Sequence, residues 1–569
     1  MQEPEIQRCM DSMTLEQKIG QMFMANICGG ESVDQARRDL EQYHFGAMQF
    51  SALFERFVRG GDYRPCGVCR NAPLEEVAEF LSRIKAISLE VVGLPVIIGG
   101  DQEGGLSGSV LRRRNMAFVP LQMGLGAAGS LEAAYEAASL SAREVKSIGL
   151  DMLYGPCLGV NTNPANPEIG ARSFSEDPRV VADMGEQIIR AYADNGIIAT
   201  AKHFPGRGHG RANAHHDLES IDVDLERLRA VELLPFKRAI AADVDSIMVA
   251  HTCYPALDPS GRPASLSPAI VQGLLRETLG FKGMIIPDTL TMFAISKNYG
   301  VPEAGVLCME AGIDMIFMKV RELYGPVISA VVEAVRRGRL TEERLNASVE
   351  RILRLKIRRG LFNPEPFSAE TVTNTVGCPA HLKRATELAR GALVVVKNQG
   401  ATLPVPSPET QSVLAVVPRN SGIVLANDRH LSHGMLPDAL ARHFGAVEHV
   451  VVDEAPTPDQ AYEAVGRAKN ANLLVFGIYS KGLSGELADL LQSLVDLGRP
   501  VVVVLTGSPY VAARLPEAVR AIICSFGMTP FAFRAVAETL VGELAPTGRL
   551  PVTVSEAWPR GHSATDTRA

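Results

Sequence analysis

Short apolar runs that each end in polar or charged residues constrain the fold of this chain more than any other feature of its sequence. They are residues 95–100, 153–160, 196–200, 246–250, 283–287 and 314–318. Their spacing of roughly 40 residues leaves room for a helix between successive strands, as βα units require. The chemistry of a β/α barrel is assembled at the carboxyl ends of its strands. The pattern therefore predicts an N-terminal TIM-type (β/α) barrel with a shared site at those ends.

The strand predicted at residues 196–200 leads directly into Lys202 and His203. Polar groups at the end of a buried strand are costly unless they are used. A loop rich in proline and glycine follows, and it contains His209, His215 and His216. This concentration of titratable side chains makes the end of the strand a candidate functional site.

A second domain follows the barrel. The Pro-rich stretch at residues 363–366 comes after an arginine-rich helical segment and is typical of a linker. Beyond it, apolar runs alternate with helical patterns, which indicates a doubly wound α/β sandwich with a mostly parallel sheet. We predict a barrel domain over residues 1–361, a linker over 362–384, the sandwich domain over 385–555 and a polar tail over 556–569.

The composition excludes two classes of protein. A chain of 569 residues with 46% hydrophobic residues can bury two or more cores, and its net charge of −7 gives no reason to expect nucleic acid as a partner. No apolar run approaches membrane-spanning length, and the N-terminus has no apolar signal segment. Nine scattered cysteines suit a reducing compartment, so we predict a cytoplasmic location. The oligomeric state stays open.

Cys66 and Cys69 form a Cys-x-x-Cys pair in what looks like an insertion after the first strand. Zinc needs four ligands, and no second pair has suitable spacing. A redox pair would require the start of a helix in a βαβ context. The sequence therefore predicts no metal and no cofactor.

Longer stretches share their sequence with one enzyme family. They are residues 13–22, 101–105, 166–174, 202–208, 287–292, 498–505 and 546–552. On these residues the chain resembles glycoside hydrolase family 3, and most closely its β-N-acetylglucosaminidase branch in the two-domain form. The Lys-His-Phe-Pro-Gly sequence that begins at Lys202 is specific to this branch. The resemblance implies a retaining, exo-acting β-glycosidase with a small glycoside or amino-sugar substrate.

A retaining glycosidase needs a carboxylate that attacks the anomeric carbon and an acid that protonates the leaving oxygen. The resemblance places Asp288 at the nucleophile position. The alternative is that Asp288 caps the N-terminus of a helix, because Thr-Leu-Thr-Met follows it. Pro287 replaces the hydroxyl residue that is usual in the family, so one local hydrogen bond is absent.

The resemblance assigns the acid/base role to His215. In the family branch an aspartate two residues earlier supports this histidine, whereas Asn213 occupies that position here. An aspartate would raise the pKa of the histidine and stabilise its imidazolium form. Asparagine can accept a hydrogen bond from the ring, but it supplies no charge. The alternative is that His215 is an exposed loop histidine in a degenerate site.

Further positions match the residues that grip the sugar in the family, and these are Asp101, Arg172, Lys202 and His203. A carboxylate can accept two sugar hydroxyls, and lysine or arginine can donate to ring substituents. For Arg172 a structural salt bridge is the alternative. For His251 and Asn161, contact with the substrate and a place in the barrel interior are alternatives of equal weight.

Arg207, His209 and Arg211 make the histidine loop unusually basic. One interpretation is an ordinary solvated loop. The other is that these side chains bind an anionic group of the substrate, or phosphate as an acceptor.

The sequence thus predicts a retaining exo-β-glycosidase acting on N-acetylglucosaminides, with Asp288 as nucleophile and His215 as acid/base. Two other enzymes stay open, namely a phosphorylase in which phosphate replaces water and a tailoring enzyme for a glycosylated metabolite. Because Asn213 removes the supporting charge, a non-catalytic sugar-binding protein is a further alternative. The sequence does not identify the true sugar or the aglycone.

Overall fold

The computed structural model describes residues 3–28, 32–51, 53–54, 64–65, 73–105, 116–211, 217–419, 434–479 and 482–565. These residues form two units. The first consists of Met1–Gln102, Ala138–Glu168 and Val181–Cys378. The second consists of Glu103–Ala137, Ile169–Val180 and Pro379–Ala569.

A parallel eight-stranded sheet forms the centre of the first unit. Its strands are β1 (Phe23–Cys28), β2 (Ala47–Ser51), β3 (Ile97–Gly100), β4 (Met152–Leu153), β5 (Ile198–Phe204), β6 (Ser246–Val249), β7 (Met284–Pro287) and β8 (Ile316–Phe317). Their order in the sheet is β7-β6-β5-β4-β3-β2-β1-β8. The backbone N–H groups of Asp314 and Met315 donate to the carbonyl of Ile285 at 2.9 and 3.2 Å, which brings β8 next to β7. The predicted TIM-type barrel is confirmed.

Helices alternate with these strands, as the spacing of the apolar runs predicts. The longer ones are Glu3–Asp11, Leu15–Gln21, Val33–Tyr43, Leu74–Val91, Leu131–Ile148, Pro178–Asp194, Leu234–Ala241, Ala269–Thr278, Val301–Ala311, Tyr324–Arg336, Glu342–Arg358 and Ala369–Thr375. Shorter helical segments are Leu225–Arg227, Leu228–Glu232, Ala264–Leu266, Phe293–Ser296 and Arg321–Leu323, while Gly170–Arg172 belongs to the second unit. Small two-stranded pairings join Glu219–Ser220 to Thr252–Cys253 and Leu53–Phe54 to Arg64–Pro65.

Aspartates at the amino ends of alternate strands tie neighbouring strands together. Asp151, Asp245 and Asp314 come just before β4, β6 and β8, and each accepts a hydrogen bond from a backbone N–H of the preceding strand. The donors are Ile98, Ala199 and Ile285, at 3.1, 3.2 and 2.8 Å. Each buried carboxylate also pairs with lysine or arginine side chains from the surrounding helices, namely Lys85, Lys146, Arg276, Arg351, Arg358 and Arg359. Charge and hydrogen bonding are thus satisfied together, as burial requires.

A neutral partner replaces the aspartate near the start of β1. The Nζ atom of Lys356 donates to Oε1 of Gln21 at 2.7 Å, and the lysine is fully buried. Burial in this place lowers the pKa of Lys356 to about 7. The lysine therefore loses its proton on folding over much of the alkaline range.

We expect Lys356→Met to flatten the dependence of stability on pH. Between about pH 7 and pH 10.5 the unfolded lysine binds a proton that the folded lysine lacks, so this group makes stability rise by about 1.4 kcal/mol per pH unit. Urea midpoints at pH 7, 8 and 9 measure this slope. The same substitution at the exposed Lys237 should keep the wild-type slope, and an unchanged slope in Lys356→Met would contradict the assignment.

The second unit contains a six-stranded sheet. Its strands are β9 (Val394–Asn398), β10 (Ser412–Pro418), β11 (Ala446–Val452), β12 (Leu473–Ile478), β13 (Val501–Leu505) and β14 (Ala521–Cys524). In the order β9-β14-β13-β12-β10-β11 all neighbours are parallel except β9 and β14. Its helices and helical turns are Gln122–Ala128, Pro379–Ala392, Gln399–Ala401, Pro408–Thr410, Met435–Leu440, Pro458–Ala468, Gly485–Val495, Pro509–Arg514 and Pro530–Leu540. The predicted α/β sandwich is confirmed.

The core of this sandwich includes residues far apart in sequence. Met123 and Ala127 pack in the same apolar cluster as Val416, Phe476 and Val503. The helix Ala369–Thr375 lies within the stretch predicted as a linker. The boundaries at 361, 384 and 555 stay predictions.

Candidate active site

Candidate residues of the first unit lie at the carboxyl ends of four barrel strands. Asp101 follows β3, Lys202 and His203 lie within the end of β5, and His251 and Asp288 follow β6 and β7. Because the strands are parallel, these ends form one rim of the barrel.

A bulge in β5 turns two consecutive side chains towards two carboxylates. Lys202 pairs in register with Met248 and Phe204 with Val249, so His203 is the extra residue of β5. Such a bulge interrupts the alternation of side chains along a strand. Lys202 Nζ lies 3.0 Å from Asp101 Oδ1, and His203 Nε2 lies 3.8 Å from Asp288 Oδ2.

The ion pair between Lys202 and Asp101 is buried on one side and open on the other. The lysine side chain is 3% exposed, whereas that of Asp101 is 37% exposed. The ammonium group neutralises the carboxylate from within the protein, and the open face of Asp101 can accept hydrogen bonds from a ligand. A hydrogen bond to a charged group is stronger than one between neutral groups. This pair is therefore suited to bind hydroxyl groups.

The two oxygens of the Asp288 carboxylate have different surroundings. Oδ1 accepts a hydrogen bond from the backbone N–H of Thr289 at 2.7 Å. Oδ2 faces His203, and the side chain as a whole is 17% exposed. The backbone N–H of Asp288 donates to the carbonyl of Val249 at 3.1 Å, which fixes the residue to the end of β6. One oxygen is thus held by the protein, while the other is the better placed to react.

His251 lies behind Asp288 and is 1% exposed. Its Nδ1 atom is 2.7 Å from the hydroxyl of Ser265, and Nε2 is 3.0 and 3.1 Å from the carbonyl oxygens of Asp288 and Thr289. Burial lowers the pKa of His251, so the ring is neutral. Since both ring nitrogens contact protein atoms, this geometry favours the interior position over contact with the substrate.

Two of the three basic side chains of the histidine loop, Arg207 and His209, are engaged by other groups of the protein. Arg207 is buried, with Nη1 at 2.6 Å from Glu168 Oε1 and Nη2 at 3.6 Å from Glu219 Oε2. His209 Nδ1 lies 3.0 Å from the hydroxyl of Thr162 and 3.2 Å from Nη2 of Arg227. Arg207 is therefore neither solvated nor open to an anion. These contacts argue against the interpretation that Arg207 and His209 bind an anion, whereas Arg211 is exposed.

The loop after β4 supports the same segment. Side-chain amides of Asn163 and Asn166 donate to the carbonyls of Gly210 and Arg207, each at 2.8 Å. Asn161, which precedes them, is buried. Its burial favours a place in the barrel interior over direct contact with a sugar.

Comparison with known proteins shows which protein family has this architecture. Residues 14–355 match the Glycosyl hydrolase family 3 N terminal domain, and residues 393–567 match the Glycosyl hydrolase family 3 C-terminal domain. The chain belongs to glycosyl hydrolase family 3. It is accordingly a glycoside hydrolase, as predicted.

Relatives in the family cover most of the chain. A solved family 3 β-N-acetylglucosaminidase from Paenibacillus sp. str. FPU-7 is 32% identical with a TM-score of 0.87, covering 96% of this chain and 99% of that one. A β-hexosaminidase A from Pseudoalteromonas piscicida is 29% identical over 81% of this chain and 84% of its own length. A β-hexosaminidase from Stenotrophomonas maltophilia (strain K279a) is 35% identical over 46% of this chain and 76% of its own length.

Arg172 of this family 3 hydrolase belongs to the second unit. Its guanidinium makes two hydrogen bonds to the carboxylate of Glu103, from Nε at 2.6 Å and from Nη2 at 2.8 Å. The structural salt bridge foreseen as an alternative is therefore present. A role of Arg172 in binding the sugar stays a prediction.

Asn213, His215 and His216 lie outside the described residues, and so do Cys66 and Cys69. Within the described ranges, no group of three or more histidine, cysteine, aspartate or glutamate side chains is placed to hold a metal ion. No helix in those ranges is long and apolar enough to cross a membrane.

Tyr154 is a buried residue, influenced by the charges of the site carboxylates, that sequence reasoning missed. Its hydroxyl is buried and lies 2.9 Å from Met24 Sδ. Burial, followed by the negative charges of Asp101 and Asp288, raises the pKa of Tyr154, so the phenol stays neutral. A Cβ atom at Gly99 would lie 2.6 Å from this hydroxyl. A glycine inside a strand often marks such a close approach, so Gly99 was the sequence signal that a large side chain packs against this strand.

Proposed function

We propose that this family 3 hydrolase removes terminal β-linked N-acetylglucosamine by a retaining mechanism. The observation that carries the proposal is the Asp288 carboxylate at the barrel rim, with Oδ1 held by Thr289 and Oδ2 directed towards His203. The relatives described as β-N-acetylglucosaminidase and β-hexosaminidase support this sugar.

In the first half of the reaction, Oδ2 of Asp288 attacks the anomeric carbon and the bond to the leaving oxygen breaks. The leaving oxygen takes a proton from protonated His215. In the second half, water attacks the glycosyl-enzyme, its proton passes to His215, and the bond to Asp288 breaks. The acid/base is thus protonated again at the end of the cycle. Asn213 would orient the His215 ring without adding charge.

Binding of the sugar falls to the Lys202–Asp101 pair and to His203. Asp101 accepts hydrogen bonds from sugar hydroxyls, and Lys202 holds its carboxylate in place through the contact between Nζ and Oδ1. A contribution of Arg172 to sugar binding is proposed on the family resemblance alone. The cytoplasmic location and the oligomeric state stay open.

A panel of chromogenic glycosides, assayed with and without phosphate, tests this function. We expect the β-N-acetylglucosaminide to be cleaved fastest, with the β-anomer as the first sugar product in NMR spectra. Phosphate should leave the rate unchanged, because Arg207 and His209 are engaged by protein groups.

Other outcomes identify the alternatives. A sugar 1-phosphate among the products would show phosphorolysis, and an α-anomeric first product would exclude retention. Binding of N-acetylglucosamine with no turnover of any glycoside would indicate a sugar-binding protein. Turnover of an extended glycosylated metabolite alone would indicate a tailoring enzyme.

A further inference from the structure

We propose that Ser265 and His251 act together to position the nucleophile Asp288, although neither touches the substrate. The inference rests on the proposed function, since it assumes that Asp288 forms the glycosyl-enzyme. It goes further by assigning a task to two buried side chains on the opposite side of the nucleophile from the sugar.

The groups around His251 determine which of its ring nitrogens carries the proton. Nε2 faces the carbonyl oxygens of Asp288 and Thr289, which can only accept hydrogen bonds, so Nε2 must carry a hydrogen. In the neutral ring Nδ1 is then an acceptor, and the Ser265 hydroxyl donates to it at 2.7 Å. The serine is itself fixed, because its backbone N–H donates to the carbonyl of Ala250 at 3.1 Å.

The ring in turn fixes the peptide that joins Asp288 to Thr289. In a trans peptide the C=O and N–H groups point in opposite directions. Holding the Asp288 carbonyl against His251 therefore directs the Thr289 N–H to the other side, where it donates to Asp288 Oδ1 at 2.7 Å. The hydrogen-bond chain runs from Ser265 through His251 and this peptide to the carboxylate. It orients the Asp288 carboxylate so that Oδ2 is on the side of His203.

Burial keeps this chain of hydrogen bonds in one arrangement. Ser265 and His251 are 0% and 1% exposed, so water does not compete for their hydrogen bonds. Burial also lowers the pKa of His251, and the nearby Asp288 and Arg207 act on it in opposite directions. A neutral ring with a single N–H is the form that can both accept from Ser265 and donate to Asp288.

The test compares variants of the full chain in two measurements. The first is the rate at which a 5-fluoro glycosyl fluoride labels Asp288, followed by peptide mass. The second is the pH profile of kcat/KM. We expect Ser265→Ala to slow labelling about 10-fold and to lower kcat with little change in KM, as expected for one lost hydrogen bond in the transition state.

The acid limb of the kcat/KM profile should move to higher pH in Ser265→Ala, because the carboxylate loses part of its amide donor. His203, whose Nε2 lies 3.8 Å from Asp288 Oδ2, and the buried Tyr154 are unchanged in the variant. Ser265→Thr keeps the hydroxyl, so the acid limb of its kcat/KM profile should stay at the wild-type pH. His251→Gln offers an N–H near the place of Nε2 and should label faster than His251→Leu.

Ser246→Ala is the matched control. Ser246 is also a fully buried serine of the barrel, at the start of β6, and its hydroxyl has no hydrogen-bond partner among the described residues. It should keep the wild-type labelling rate and pH profile. If Ser265→Ala does not fold, the comparison of His251→Gln with His251→Leu decides the same question.

Two failures are distinguishable. If the wild-type protein turns over glycosides but the label never appears on Asp288, the proposed nucleophile is wrong. If the label appears on Asp288 and folded Ser265→Ala and His251→Leu react at the wild-type rate with an unchanged acid limb, the positioning role is wrong.

Discussion

Replacing Asp288 with alanine should reduce kcat by at least about 10⁴-fold, because the variant has no group to form the glycosyl-enzyme. The fold should persist. The side chain lies at the barrel rim, and the hydrogen bond that it accepts from the Thr289 N–H is worth about 1.5 to 3 kcal/mol. Steady-state kinetics on the best glycoside and thermal melting measure the two effects separately.

Azide provides a sharper version of this experiment. In Asp288→Ala the small anion can enter the space of the carboxylate and attack the anomeric carbon, giving an α-glycosyl azide with partial return of turnover. Asp39→Ala is a suitable control, since Asp39 is a buried aspartate paired with Arg321 on a barrel helix. That variant should lose stability and keep kcat. Near-normal turnover in Asp288→Ala would exclude the mechanism.

The barrel and the positions along its rim were predictable because they depend on local patterns. A buried strand followed by a polar residue is visible in one segment of sequence, and Asp101, Lys202 and Asp288 were found in this way. β1 and β2 are not among the apolar runs identified from the sequence, because their apolar pattern is interrupted. Asn26 and Gln49 lie within them, buried and paired in register across the two strands.

Contacts between distant segments could not be predicted from pattern alone. The basic loop showed Arg207 as a positive charge, but nothing near it in sequence indicates that Glu168 and Glu219 neutralise it. Ser265 likewise looks like any serine of a loop until the fold brings it to His251. Sequence patterns thus indicate which residues reach the rim, whereas the partners that set their charge and orientation come from the tertiary structure.

The second large effect is expected for Lys202→Met, which should lower kcat/KM by about 10²- to 10³-fold. The substitution removes the buried ammonium group and leaves the Asp101 carboxylate without this partner, and a loss of this size corresponds to about 3 to 4 kcal/mol of transition-state stabilisation. Lys202→Arg should have low activity as well, because the planar guanidinium does not fit the place of a compact ammonium.

Lys356→Met is the matched control for Lys202→Met, since it removes another buried lysine of the same barrel that lies away from the strand ends of the site. It should change the pH dependence of stability and leave kcat/KM close to that of the wild type.

A double-mutant cycle on Lys202 and Asp101 then separates the contributions of the two members of the ion pair. If Lys202 acts through Asp101, adding Asp101→Asn to Lys202→Met should cost much less than Asp101→Asn costs alone. Fully additive losses would mean that Lys202 contacts the sugar independently, and kcat/KM within threefold of the wild type in Lys202→Met would remove the pair from the site.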